Sequence, residues 1–198
     1  MHASPIIINI GCGRRRMAGA IGIDHVALPT VDIVADIEHG LPFLADASVD
    51  IVIADSILEH VENFAELMRE IHRVLKPDGE LRVKVPHFSN PYYYSDYTHR
   101  RFFGLYTFDY FVPRERQRMK RIVPDYYVDF RFEITQRQIS FYSPFRWRNR
   151  LFRKPLNALI NLQSPPLDPG VLRGKSVLAA SLLHAQIHSA AGEVTSPC

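Results

Sequence analysis

Short runs of β-branched residues alternate with polar turns through the first half of the chain. Ile6–Ile10 is a short apolar run rich in β-branched residues, closed by Gly11, the pattern of a strand buried on both faces. Four more runs follow: Ala20–Asp24, Val31–Ala35 ahead of Asp36, Val49–Ala54 ahead of Asp55, and Leu81–Val85. The last is stopped by Pro86, which cannot continue a central ladder. Between the fourth and fifth runs, Phe64, Leu67, Met68, Ile71, Val74 and Leu75 recur at three- and four-residue steps. That spacing predicts an amphipathic helix over Asn63–Leu75, with Asn63 to cap its start and Lys76-Pro77-Asp78-Gly79 to end it. Strand–helix–strand order predicts an α/β fold, a Rossmann-like doubly wound sheet that is mainly parallel.

After Pro86 the texture turns aromatic and polar, through Tyr92-Tyr93-Tyr94, Tyr97, His99 and Phe102-Phe103. Tyr127–Ile134 and Gln138–Tyr142 read as a late antiparallel strand pair. Ser164–Gly170, with three prolines, reads as a linker, and Val177–Ile187 as a short Ala/Leu helix. No internal repeat is visible.

Composition narrows this picture only a little. A chain of 198 residues, 46% hydrophobic and 23% charged, has the size and balance of a single soluble domain. Its net charge of +3 is too small to imply nucleic acid, and none is expected as a partner. The charge is uneven, however: from Arg114 to Lys154, 12 Lys/Arg stand against 4 Asp/Glu. Within that stretch Phe145–Lys154 interleaves bases with aromatics, a composition suited to peripheral contact with an anionic membrane, although a partly buried element with basic edges reads the same way. Two cysteines, Cys12 and Cys198, make neither a disulfide framework nor a metal cluster. With no signal-peptide pattern at the start, the expected location is cytoplasmic.

In a doubly wound sheet the ligand lies outside the carboxyl ends of the strands, and acids recur there. Gly11 and Gly13 allow a tight turn and close approach of the backbone to a ligand. Asp24 ends the second run, where a carboxylate can accept hydrogen bonds from both hydroxyls of a ribose. Asp36 follows the third run and suits an adenine amino group; Asp55 follows the fourth and suits an ammonium. Each acid alone also reads as a turn or capping residue, and a Gly-x-Gly alone is weak. Arg14-Arg15-Arg16 could pair with a ligand carboxylate or form an exposed basic loop.

Over Ile8–His87 the ordered series is more specific. It runs Asn9-Ile10-Gly11-Cys12-Gly13, Gly22-Ile23-Asp24, Asp36-Ile37, Leu41-Pro42-Phe43, Ser48-Val49-Asp50-Ile51-Val52, Leu58-Glu59-His60-Val61 and Glu70-Ile71-His72-Arg73-Val74-Leu75-Lys76-Pro77-Asp78-Gly79. In this the chain resembles class I S-adenosylmethionine-dependent methyltransferases of the ubiquinone/menaquinone-biosynthesis type, in a subgroup with a short first helix. The resemblance implies S-adenosylmethionine as cofactor, its methionine part at Gly11, Cys12 and Gly13, its ribose at Asp24, its adenine near Asp36 and Ile37, and Asp55 flanking the methionine end. Arg15 stands where the family has a third glycine, and only ten residues separate Gly13 from Asp24. The resulting expectation is a methyltransferase domain over 1–145, with an acceptor-side insertion near 87–125. A divergent C-terminal extension over 146–198, in part disordered, would follow.

Transfer to a hydroxyl or amine often needs a base. His60, in Leu-Glu-His-Val, and His99, in Asp96-Tyr97-Thr98-His99, are the candidates, with Asp96 at three-residue spacing to orient His99. Both also read as structural histidines. His87 and Tyr92–Tyr94 are candidates for an acceptor pocket, and His25 and His39 for surface positions. The leading expectation is methyl transfer to an O or N atom of a small-molecule acceptor, a sugar or lipid-linked glycan among them. The alternative is a catalytically degenerate methyltransferase fold acting as a binding or regulatory protein. A nicotinamide-dependent dehydrogenase fits less well, since the turn lacks that family's third glycine.

Overall fold

The computed structural model describes residues 4–117, 122–124, 126–140 and 182–189. Its strands are β1 (Ile7–Ile10), β2 (Ala20–Asp24), β3 (Ile33–Val34), β4 (Val49–Asp55), β5 (Leu75–Pro86), β6 (Phe132–Ser140) and β7 (Leu182–Ser189), with one α-helix among the described residues, α1 (Phe64–Val74). They form a single sheet in the order β3-β2-β1-β4-β5-β7-β6. β1 pairs in parallel with β2 and β4, β2 with β3, and β4 with β5. β7 runs antiparallel to both β5 and β6. The expected Rossmann-like sheet, mainly parallel with late antiparallel pairing, is therefore the observed one.

The central strands sit where their composition requires. Ile8 and Ile10 of β1, Ile23 of β2, Val52 and Ala54 of β4, and Leu81 and Val85 of β5 are fully buried. β5 alternates, with Leu81, Val83 and Val85 turned into the core while Arg82 and Lys84 are half-buried on the other face. α1 packs Phe64, Leu67, Met68, Ile71 and Val74 into the same core. Its acidic first turn, with Glu66, and basic last turn, with His72 and Arg73, complement the helix dipole.

Three local expectations change. Asn63 stands at the helix N-cap, but its side chain makes no capping bond. Instead the Glu38 carboxylate, from a distant turn, accepts the backbone N–H groups of Glu62 at 2.6 Å and Asn63 at 3.0 Å. Lys76–Gly79 does not form a separate turn after the helix. β5 begins at Leu75, and the four residues are taken up as a register shift between the Val49–Leu75 and Ile51–Glu80 pairs. The irregularity is held by the Lys76 ammonium, 2.8 Å from both oxygens of Asp50, whose Oδ2 also accepts the Ile6 N–H at 2.7 Å. That ammonium keeps the Asp50 carboxyl below the usual carboxylate range. Third, the late antiparallel partners are not Tyr127–Ile134 and Gln138–Tyr142. β6 is one strand that takes in parts of both, and its partner is β7, which overlaps the segment read as a helix over Val177–Ile187. Ala/Leu composition favours a helix locally, but a strand inserted between β5 and β6 satisfies the backbone groups of both neighbours. Residues 182–189 of the expected C-terminal extension thus contribute to the main sheet. The Ser164–Gly170 linker and the basic-aromatic Phe145–Lys154 segment lie outside the described residues.

No α-helix stands between β1 and β2; residues 11–19 turn directly back. Among the described residues, no helix is long and apolar enough to cross a membrane. The Leu41-Pro42-Phe43 turn is bolted to α1. Leu41 N–H donates to Glu70 at 2.9 Å, and Arg73 donates to the carbonyls of Leu41 and Leu44, each at 3.0 Å.

Because Ile71 is fully buried against the sheet, Ile71→Ala is expected to lower unfolding free energy by about 2–5 kcal/mol. Urea denaturation followed by circular dichroism reads this directly; a loss within error of zero would contradict the packing described.

Candidate functional site

The carboxyl ends of the parallel strands bring the glycine turn and the sequence-predicted acids to one edge of the sheet. Gly11 and Gly13 both hold left-handed backbone, with φ of 63° and 52°. At Gly11 an added Cβ would lie 2.3 Å from Ile57, so close packing and conformation both demand glycine. At Gly13 nothing lies within 4 Å of such a Cβ, so the backbone there faces open space. Cys12 between them is buried, its N–H bonded to the Ile23 carbonyl at 3.2 Å and its thiol 3.9 Å from the Thr30 carbonyl. Burial, with the Asp24 charge adding, pushes that thiol up. The Thr30 hydroxyl donates to the Gly13 carbonyl at 2.5 Å.

Asp24 closes the turn. Its side chain is 8% exposed as a residue, and Oδ2 accepts the Gly13 N–H at 2.8 Å while Oδ1 accepts the Val26 N–H at 3.0 Å. His25 Nδ1 lies 3.3 Å from Oδ1. A carboxylate offers about four lone-pair sites, so these contacts leave capacity for a ligand's hydroxyls. Asp36 caps a short 3-10 turn, Ile37–His39, by accepting the Glu38 N–H at 3.0 Å; Ile37 itself is buried. Asp55 ends β4 opposite Lys84 in register, with Lys84 Nζ 3.0 Å and Arg15 Nη1 3.5 Å from its oxygens. The carboxylate expected to meet an ammonium is thus already partnered by two cations. Arg16 pairs with Asp32 at 3.2 Å, and Arg14 is exposed. Directly after Asp55, Ser56 is held at φ 59°, its N–H bonded to the Lys84 carbonyl at 2.8 Å. A non-glycine residue in this region stores strain at the exit of β4.

Beyond that exit a second constellation forms from the loop after β4 and the segment after β5. His60 and His99, 39 positions apart in sequence, meet edge to face with ring centroids 4.8 Å apart. Asp96 Oδ1 accepts the Thr98 hydroxyl at 2.6 Å, and that hydroxyl oxygen lies 2.9 Å from His60 Nδ1. His99 Nδ1 lies 2.9 Å from the Tyr93 carbonyl, and its Nε2 is 3.6 Å from Asp96 Oδ2. The three residues named from sequence are thus brought together, with Thr98 as an unforeseen link. Hydrogen bonding from Thr98 holds the Asp96 carboxyl low. Burial, reinforced by His99, pushes His60 down.

Glu59 was legible as text but not as a site residue. It is 2% exposed, and its Oε2 has no hydrogen-bond partner among the described residues. Burial pushes its carboxyl up to about 7, its own backbone N–H opposing and the Asp55 and Asp96 charges adding. Its carbonyl accepts the Arg100 N–H at 2.8 Å, tying the two loops together. An acid beside a histidine between buried Leu58 and Val61 was the available signal.

His87 is the first residue past β5, its Nδ1 2.7 Å from the Ser89 hydroxyl, and burial pushes its pKa down. It lines a cavity of about 600 Å³ with Phe88, Tyr106, Tyr110 and Val123. None of Tyr92–Tyr94 lines it: Tyr92 and Tyr94 are exposed, and buried Tyr93 donates its hydroxyl to the Arg101 carbonyl. His25 and His39 lie at the surface, as expected.

A family model described as "Methyltransferase domain" matches residues 8–83. Among curated proteins, a probable S-adenosylmethionine-dependent methyltransferase of Mycolicibacterium smegmatis is 33% identical over 97 residues, covering 40% of this chain and 37% of that protein. The rat mitochondrial arginine-hydroxylase NDUFAF5 is 32% identical over 94 residues, covering 38% of this chain and 27% of that protein. The chain thus spans about a quarter to two-fifths of the length of these relatives. Among solved structures, YcgJ of Bacillus subtilis superposes with a TM-score of 0.53 at 16% identity, covering 96% of this chain and 94% of that one. The 1,6-didemethyltoxoflavin-N1-methyltransferase of Burkholderia thailandensis, solved with S-adenosylhomocysteine, gives 0.53 at 13% identity, covering 94% and 71%. At these identities the structures speak to the fold alone.

The two turn glycines should separate on substitution. Gly11→Ala meets both strained backbone and Ile57 and is expected to cost about 2–4 kcal/mol. Gly13→Ala meets strain alone and should cost about 1 kcal/mol. Equal denaturation midpoints for the two variants would contradict the packing at Ile57.

Proposed function

From the match of residues 8–83 to a family model described as "Methyltransferase domain", we propose that the chain transfers a methyl group from S-adenosylmethionine to an O or N atom of a small molecule. The observation that carries the reading is the Asp24 carboxylate gripping the Gly13 amide at the carboxyl ends of β1 and β2. It couples the residue suited to a ribose diol to the turn suited to close ligand approach. The residues fit the cofactor: open space at Gly13, a nearly buried carboxylate with spare lone pairs, and cations beside the turn.

In this reading Gly11, Cys12 and Gly13 offer backbone to the methionine part, and Asp24 accepts from the ribose hydroxyls. Asp36 and Ile37 border the adenine. Asp55 flanks the methionine end, where its partners Lys84 and Arg15 can meet the carboxylate while Asp55 meets the ammonium. When bound, S-adenosylmethionine supplies an electrophilic methyl group on its sulfonium. His60, His99 and Asp96 belong to the acceptor side. There unprotonated imidazole nitrogens and a carboxylate accept the hydrogen bond of an acceptor O–H or N–H and orient it for attack. The cavity beside His87 gives a small acceptor room. A sugar, free or lipid-linked, is the acceptor class proposed, being rich in hydroxyls of the kind such acceptors hold.

A second reading, a catalytically degenerate methyltransferase fold acting as a binding or regulatory protein, is favoured by one observation: Asp55 is already paired with Lys84 and Arg15 and so is less available to the methionine ammonium. Radiolabelled methyl transfer across a panel of hydroxyl and amine acceptors separates the two: label in product supports the enzyme, binding without label the degenerate protein.

Calorimetry with S-adenosylhomocysteine tests the reading itself. Wild-type protein should bind it, and Asp24→Asn should weaken binding about 10–100-fold, as expected for lost hydrogen bonds to a charged group. Absence of binding by folded wild-type protein would sink the proposal.

A further inference from the structure

The cluster of Glu59, His60 and His99 carries an orphan that a methyl acceptor alone does not explain. Each residue offers one donor atom, and the three lie within 4.8 Å of one another. Hydrogen bonding fixes which imidazole nitrogens are available. The Thr98 hydroxyl has one hydrogen, and Asp96 Oδ1 takes it at 2.6 Å. Toward His60 the hydroxyl can therefore only accept, so His60 Nδ1 carries the proton and Nε2 the lone pair. His99 Nδ1 faces the Tyr93 carbonyl, also an acceptor only, and so carries the proton; in the neutral imidazole its Nε2, 3.6 Å from Asp96 Oδ2 and outside hydrogen-bond distance, keeps the lone pair. Metal-binding histidines show this arrangement, with the distal N–H given to a carbonyl or to a carboxylate-linked partner. Glu59 completes the set: it is more than nine-tenths buried, with an Oε2 that no group among the described residues answers. An unanswered buried acceptor is costly, and here it sits in a cluster whose three ligand atoms lie within 4.8 Å of one another.

We propose that Glu59, His60 and His99 bind one divalent transition-metal cation of the Zn²⁺ class between the loop after β4 and the segment after β5. Two imidazoles and one carboxylate are a donor set that leaves further coordination positions open. Metal–ligand bonds of about 2.1 Å require the donors to close by about 1–1.5 Å, within reach of rotation about side-chain bonds. Asp96 is then a positioning residue, holding His60 through Thr98. Cation binding stands on the cluster geometry alone. Its use rests on the proposed methyltransferase reading: an acceptor oxygen or nitrogen on an open position would be polarised by the cation and lose its proton more readily. The histidines' part then changes from hydrogen-bond acceptor to ligand.

The test uses the full chain, stripped with a chelator and titrated with Co²⁺ as a spectroscopic probe, then with Zn²⁺. One equivalent of Co²⁺ should develop visible absorption, lost on adding Zn²⁺. Glu59→Gln and His99→Ala should each weaken Co²⁺ binding at least tenfold. Thr98→Val keeps all three donors but removes the partner of His60 Nδ1, and should weaken binding about tenfold; it serves if a ligand variant fails to fold. Unaltered Co²⁺ affinity in the folded variants, or no binding by wild-type protein, overturns the proposal. S-adenosylhomocysteine binding, measured on the stripped protein, keeps the two readings apart. S-adenosylhomocysteine binding together with failure to bind Co²⁺ overturns the cation site only; Co²⁺ binding together with failure to bind S-adenosylhomocysteine overturns the methyltransferase reading only.

Discussion

A parallel sheet ends all its strands on one edge, and at that edge the chain must reverse without filling the space a ligand needs. In this protein the reversal after β1 depends on the Asp24 carboxylate, nearly buried, holding the Gly13 and Val26 amides. That one side chain joins two strand ends that no helix bridges. Charge-assisted bonds from a carboxylate to backbone amides are about twice as strong as neutral ones, which suits a linkage that stands in for an element. Gly11 reinforces it by admitting Ile57 against the turn, and Asp32 by accepting the Gly22 N–H at 2.7 Å.

From this edge the remaining parts follow in order. Lys84 opposite Asp55 sets the charge at the β4 exit, and strained Ser56 redirects the chain toward Glu59 and His60. The Arg100 and Arg101 amides, bonded to the Glu59 carbonyl, bring the segment after β5 back over that loop. Two clusters thus stand on one rim, one built of turn backbone and carboxylate, the other of imidazoles and a buried acid.

Much of the core was legible in the chain because burial on both faces leaves a plain mark. Ile7–Ile10 is such a case, while α1 left a one-sided three- and four-residue repeat that marks its buried face. Asp24, Asp36 and Asp55 were legible as acids closing those runs. What the chain concealed depends on distant partners. β7 reads locally as a helix and becomes a strand only between β5 and β6. Lys76–Gly79 carries stop signals that the Asp50 pair and a register shift absorb. Glu38 caps a helix 25 residues downstream, and Thr98 and Glu59 acquire meaning only when two loops meet. Arg15, standing where a glycine was expected, proves compatible with the turn because its side chain leaves toward Asp55.

Amide hydrogen exchange with and without S-adenosylhomocysteine tests the central claim most directly. If the rim between β1 and β2 is the cofactor site, protection should rise at Gly11–Gly13, at Asp24–Val26 and around Asp36–Glu38, and stay unchanged at α1. Protection elsewhere with none at the glycine turn would contradict the account.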